Sequence, residues 1–197
     1  MLSDTISGGN PGTAFSVKGG NFLVTGPPRC GKSTLIEQAV GRIQAPTIGF
    51  FTREIRMRGQ RVGFSISTLA GRSGLLAHKN IKSPIRVGKY KVNLADIDGI
   101  AVPAMIPESP GEIVVVDEIG KMECYSSLFT DALLRILSSE NLVMGTIALK
   151  GDQFIENIKK RDDVTLVPLS GKRSDFEDAL ELLVGEMKKR QCTPQSY

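Results

Sequence analysis

Tryptophan is absent from this sequence, histidine occurs once, and aromatic residues make up only 6% of the chain. The three cysteines, Cys30, Cys124 and Cys192, are odd in number and lie far apart. Even with His78 they show no metal-ligand spacing, so neither a zinc site nor a disulfide framework is expected. A reducing cytosol is the expected compartment, and His78 alone reads as a surface or turn residue. No apolar run approaches the ~20 residues that cross a bilayer, so no membrane span is expected. The N-terminus lacks a charged segment followed by an apolar core and does not read as a signal peptide.

Acidic residues are scarce in one place. Between residues 53 and 91 ten Lys and Arg face a single acid, Glu54, so this segment carries +9 of a net +4 and leaves the rest at −5. Such a bias suits a polyanionic partner, either nucleotide phosphates or nucleic acid, or else marks the solvated face of a β-ribbon. What remains is ordinary: 197 residues, 41% hydrophobic and 23% charged, enough for one well-buried soluble domain and no more. A monomer is expected.

Residues 1–20, rich in Gly, Ser, Thr and Asn, read as a flexible leader, residues 21–190 as the domain, and 191–197 as a tail. Residues 21–25 form a short apolar strand that runs into a glycine-rich turn. From 32 to about 43 the apolar positions Leu35, Ile36, Ala39, Val40 and Ile43 keep helical spacing. A second strand covers 47–52. The period then changes: Val62, Phe64, Ile66 and Thr68 alternate with Arg61, Gly63, Ser65 and Ser67, which predicts antiparallel ribbon after a turn at 58–60. Tyr90, Val92 and Leu94 predict a third ribbon strand, placing the insertion at about 53–94. Residues 96–105 predict a short helix broken by Pro103.

The run 113–116 is continuously apolar, as in a strand buried on both faces of a parallel sheet. Helix, strand, helix and strand follow over about 127–138, 142–147, 153–160 and 164–167. Ser174 and Glu177 predict a capping box opening a final helix. Strands alternating with helices define an α/β class, a three-layer domain around a mostly parallel sheet with an inserted antiparallel β-ribbon.

Two motifs carry chemistry. Gly26-Pro27-Pro28-Arg29-Cys30-Gly31-Lys32-Ser33, followed by Thr34, fits the Walker A pattern G-x-x-x-x-G-K-[ST] between a strand and a helix. Such a loop turns its backbone N–H groups toward phosphates at the positive end of the helix dipole. Lys32 is placed to neutralise the β- and γ-phosphates and Ser33 to ligate Mg²⁺. The Walker B element is Ile113-Val114-Val115-Val116-Asp117-Glu118: a buried strand that leaves Asp117 at its carboxyl end to hold Mg²⁺, and Glu118 one step on to activate water.

These motifs, with G-F-F-T-R-E at 49–54, R-V-G-F at 61–64, V-G-K-Y at 87–90 and D-E-I-G-K-M-E at 117–123, resemble the thermophile-type nucleoside-triphosphatases, a family that includes cancer-related nucleoside-triphosphatase. The resemblance runs in order from about 21 to 170. It implies a RecA-like P-loop fold and Mg²⁺-dependent hydrolysis of ATP, GTP, CTP and UTP with broad base tolerance. It assigns phosphate binding to residues 26–34 and the Mg²⁺ and water roles to Asp117 and Glu118. Arg29 departs from the family, which commonly has glycine there. Ala148-Leu149-Lys150 departs from a proline-bearing turn and leaves the role of Lys150 open.

Lesser candidates are Thr52, Glu54 and Arg56 at the end of the second strand, and Lys121 and Glu123 in the Walker B turn. Residues 170–173 are a place for a base to pack, and Arg161 or Arg173 a source of transition-state charge. A G-protein is disfavoured because no N-K-x-D motif is present. The surviving rivals are a small-molecule kinase with the basic ribbon as lid, and an ATPase coupled to nucleic acid through that ribbon.

Overall fold

The computed structural model describes residue 15 and residues 17–191. Most of the leader, Cys192 and most of the tail lie outside the described residues. In chain order the strands are β1 (Asn21–Thr25), β2 (Thr47–Met57), β3 (Gln60–Thr68), β4 (Ser73–His78), β5 (Arg86–Val87), β6 (Tyr90–Val92), β7 (Ile113–Ile119), β8 (Leu142–Ile147) and β9 (Val164–Pro168). The helices are α1 (Lys32–Val40), α2 (Leu94–Asp96), α3 (Val102–Ala104), α4 (Ser127–Leu137), α5 (Gln153–Lys160) and α6 (Arg173–Gln191).

All nine strands join one sheet in the order β5-β6-β4-β3-β2-β7-β8-β1-β9. The half from β2 through β7, β8 and β1 to β9 is parallel, and the half from β2 outward is antiparallel. β2 belongs to both: residues 47–51 pair with β7, and residues 50–57 pair with β3. Its hairpin turns at Arg58 and Gly59, both with positive φ (50° and 77°), the conformation a two-residue β-turn demands.

Side-chain alternation along the central strands feeds two cores. Phe22, Val24, Ile113 and Val115 meet Leu35, Ile36 and Ala39 of α1 and Leu180, Leu183 and Met187 of α6. Leu23, Val114 and Val116 meet Phe129, Leu133 and Ile136 of α4 and Ile155 of α5. Each fully buried side chain of this kind contributes about 1.5–3 kcal/mol, which is why the middle strands read as continuous apolar runs. The fold is the expected mostly parallel α/β architecture of helices around a sheet.

Four local expectations need correction. β4, unforeseen, is the third ribbon strand, and residues 90–92 pair with it rather than with β3. Leu94 opens α2 rather than extending the ribbon. Pro103 does not break the helix: a π-turn at Ile97–Ala101 links α2 to α3. Proline leaves the carbonyl four residues back without its helical donor, and here the Arg72 guanidinium donates to that Gly99 carbonyl at 3.1 Å. Finally, α6 begins one residue before Ser174. Ser174 donates to Asp175 and Glu177 pairs with Arg173, so the capping box does not form.

Candidate active site

The phosphate loop occupies the turn from β1 into α1, at the carboxyl edge of the parallel strands. Gly31 caps α1 with φ +98°, and its carbonyl accepts the first helical bond, from Leu35 N–H at 2.9 Å. At Gly26 a Cβ would stand 2.2 Å from the Leu169 carbonyl oxygen, so only glycine lets the loop after β9 approach. Arg29 is exposed, and its φ of +65° lies in the left-handed region, where a side chain costs roughly 1–2 kcal/mol. That conformation is what the glycine common at this position would adopt freely.

Lys32 folds back across the mouth of the loop, its Nζ donating to the carbonyls of Gly26 (3.1 Å) and Pro27 (3.2 Å). Ser33 Oγ donates to Asp117 Oδ1 at 3.0 Å, and Thr146 Oγ1 at the end of β8 donates to the same oxygen at 2.7 Å. Asp117 is fully buried, and its second oxygen, Oδ2, has no protein partner. Burial raises its carboxyl above the ordinary range, against the hydrogen bonds from Thr146 and Ser33, which lower it. Asp117 does not end the strand as expected, since β7 continues to Ile119 with its register to β8 shifting after Val116.

Glu118 is half-buried next to it. Burial and the Asp117 charge raise it, and Lys32 is the cation acting the other way. Glu123, wholly buried in the turn that follows, is pushed up to about 8, first by burial and then by Glu118. Three carboxyl groups therefore crowd one strand end where the fold supplies little positive charge.

A cavity of about 620 Å³ opens over the loop. Gly26, Pro28, Arg29, Gly31, Lys32, Ser33 and Thr34 form one wall, Glu118 stands opposite, and the ribbon and the loop after β8 complete it with Glu54, Arg61, Phe64 and residues 148–150. The loop residues and Glu118 are thus brought together. Lys150, left open by the sequence, lies in the cavity wall. Arg161 does not come near: it pairs with Asp163 and donates to Ser138 at the opposite edge of the sheet. Arg173 is solvent-facing and pairs with Glu177. Arg61 and Phe64 were missed as site residues, because only the ribbon folding back over the loop puts them there.

Arg61 is held for this place. It pairs with Glu54, donates to the Tyr90 hydroxyl at 3.0 Å, and lies over the Phe64 ring at 5.1 Å. Arg56 shares Glu54, and Arg53 pairs with Glu37. Part of the ribbon's charge is thus compensated internally. His78 ends β4, its Nδ1 accepting from Asn80 N–H at 3.1 Å, and Cys30 and Cys124 are free thiols. Among the described residues no cluster of three His, Cys, Asp or Glu offers a metal cage, and no helix is long and apolar enough to cross a membrane.

A glycine-bounded loop between a strand and a helix, facing an acid pair on the next strand but one of a mostly parallel sheet, defines a P-loop NTPase. Relatives narrow the class. A family profile described as NTPase matches residues 21–179. Nucleoside-triphosphatase THEP1 of Thermotoga petrophila is 44% identical over 157 residues, 78% of this chain and 86% of that protein. Human cancer-related nucleoside-triphosphatase is 38% identical over 161 residues, 73% and 85% of the two chains. The crystal structure of THEP1 from Aquifex aeolicus superposes with a TM-score of 0.73 at 31% identity, covering 83% of this chain and 98% of that one. The chain belongs to this NTPase family.

Proposed function

We propose that this protein hydrolyses nucleoside 5′-triphosphates to the diphosphate and phosphate. The observation that carries the reading is that Glu118 lines the same cavity as Lys32 and Ser33. Lys32 leaves the carbonyls of Gly26 and Pro27 to meet the β- and γ-phosphates, while the loop N–H groups hold the phosphate oxygens. Glu118 takes a proton from the attacking water as its oxygen bonds to the γ-phosphorus and the bond to the bridging oxygen breaks.

The orphaned Asp117 Oδ2 and the Ser33 hydroxyl are hard oxygen donors of the kind Mg²⁺ accepts alongside substrate phosphates. Ser33 and Asp117 would hold Mg²⁺, which when bound neutralises phosphate charge. Thr146 fixes the Asp117 carboxylate from behind. Arg61 is the side chain best placed to meet charge developing on the transferred phosphoryl group, in the role expected of Arg161 or Arg173.

Broad base tolerance is part of the proposal. Beyond the phosphates the cavity wall offers Pro28, Phe64 and Leu149, which contact a base by its face and do not read its edge. The experiment is a split between binding and turnover. Glu118→Gln retains triphosphate affinity and loses hydrolysis at least ~100-fold, whereas Lys32→Ala loses affinity itself. Near-normal turnover in Glu118→Gln would remove the assignment.

A further inference from the structure

Behind Glu118, on the side away from the phosphate loop, lies a second cavity of about 220 Å³. It shares Phe64, Glu118 and Ala148 with the phosphate cavity, so the Glu118 carboxyl stands between the two spaces. Hydrolysis needs only one water at that carboxyl, and a water takes roughly 30 Å³. The second cavity is several times larger.

Its walls are mostly apolar. Leu76 of β4, Val87 of β5 and Met122 of the Walker B turn join the shared Phe64 and Ala148. The polar residues of the lining are Thr52, Glu118, Lys121 and Glu123. Phe64 is held by an edge-to-face contact with Tyr90, ring centroids 5.2 Å apart. Phe64, Leu76 and Val87 all come from the inserted ribbon, the part of the sheet the phosphate loop does not require. A cavity with an apolar side and a base at one end suits an organic hydroxyl compound whose apolar face meets Phe64, Leu76 and Val87.

We propose that this chamber is an acceptor site, and that Glu118 also serves to pass the γ-phosphoryl group to a small, uncharged alcohol with an apolar face. The inference rests on the phosphate-loop reading given above. In the step, the alcohol oxygen gives its proton to Glu118 and bonds to the γ-phosphorus. The bond from that phosphorus to the bridging oxygen breaks, and the products are a nucleoside diphosphate and a phosphate monoester. Neutral acceptors are specified because the Glu118 carboxylate, which takes the proton, stands at the mouth between the two spaces and would repel an anion.

The test offers Mg²⁺ and ATP to the full chain in the presence of benzyl alcohol or, separately, ethanol at equal concentration. Phosphorus NMR reads phosphate and ester together. The expected result is benzyl phosphate beside inorganic phosphate, at an ester-to-phosphate ratio at least ~10-fold above that for ethanol. Val87→Trp, which narrows the chamber, lowers the benzyl ratio at least ~10-fold, with phosphate release in the same tube reporting that the variant is folded.

Phosphate alone from both alcohols overturns the acceptor site and leaves the hydrolase reading standing. Esters formed without preference between the alcohols and insensitive to Val87→Trp also overturn it, since attack would then come from open solvent. Neither phosphate nor ester would bring down the hydrolase reading and the acceptor site together.

Discussion

Ser33 and Asp117, 84 residues apart in sequence, meet at 3.0 Å, with the Ser33 hydroxyl donating to an aspartate oxygen that also accepts from Thr146. Two strand ends and the start of a helix converge on one carboxylate and leave its other oxygen without a protein partner.

The Thr146 bond has a measurable consequence. Thr146→Val removes the 2.7 Å hydrogen bond and frees the carboxylate to turn. Outer hydrogen bonds of this kind are typically worth about 10–100-fold in metal affinity. The Mg²⁺ concentration for half-maximal phosphate release should rise by that factor, with turnover at saturating Mg²⁺ less affected. An unchanged Mg²⁺ titration would contradict the role given to Asp117.

Arg61 and Arg161 should behave differently. Arg161→Ala removes a partly exposed pair with Asp163 at the far edge of the sheet, worth at most about 1 kcal/mol of stability, and leaves turnover unchanged. Arg61→Ala removes a cation from the cavity wall and should lower kcat at least ~10-fold. Steady-state kinetics with thermal melts separates the two, and equal kcat values would refute the role of Arg61.

Glu123 predicts a pH dependence of stability. Its carboxyl titrates near 8 in the fold against 4.5 when free, so the folded chain keeps a proton that the unfolded chain releases across that window. Its contribution to stability is fully present below 4.5 and is lost as pH rises toward about 8, with a slope of up to about 1.4 kcal/mol per pH unit. Glu123→Gln cannot titrate and should lose less stability between about pH 5 and about pH 8 in urea melts. Parallel losses in both proteins would rule this out.

Arg29→Gly should relieve the left-handed backbone without harming the site. The melting temperature is expected to hold or rise, and triphosphate affinity to stay within roughly fivefold, the ratio that about 1 kcal/mol of exposed charge permits. A larger loss of affinity would mean that Arg29 meets phosphate directly.

How much of this was legible beforehand depends on how local each feature is. The phosphate loop and the Walker B element at 113–118 announce themselves because their chemistry is contiguous: the apolar run 113–116 stops at Asp117, although the strand itself continues to Ile119. β4 was not legible: Gly74 interrupts its alternation, and a register shift after Phe64 displaces its pairing. Pro103 misled because its lost bond is compensated by Arg72, far off in sequence. The capping box at Ser174 lost to an earlier start of α6, where Ser170 turns its hydroxyl to Asp175. Arg61 was invisible as a site residue for a topological reason. Its motif reads as exposed ribbon, and only the fold-over of β2 and β3 aims it at the phosphate loop.

The most direct test of the central claim is phosphate release from ATP, GTP, CTP and UTP with Mg²⁺, wild type beside Glu118→Gln, repeated with an oligonucleotide panel. The account predicts release from all four by the wild type, at least ~100-fold less from Glu118→Gln, and no dependence on nucleic acid. Release that begins only when an oligonucleotide is added, or that survives in Glu118→Gln, would contradict it.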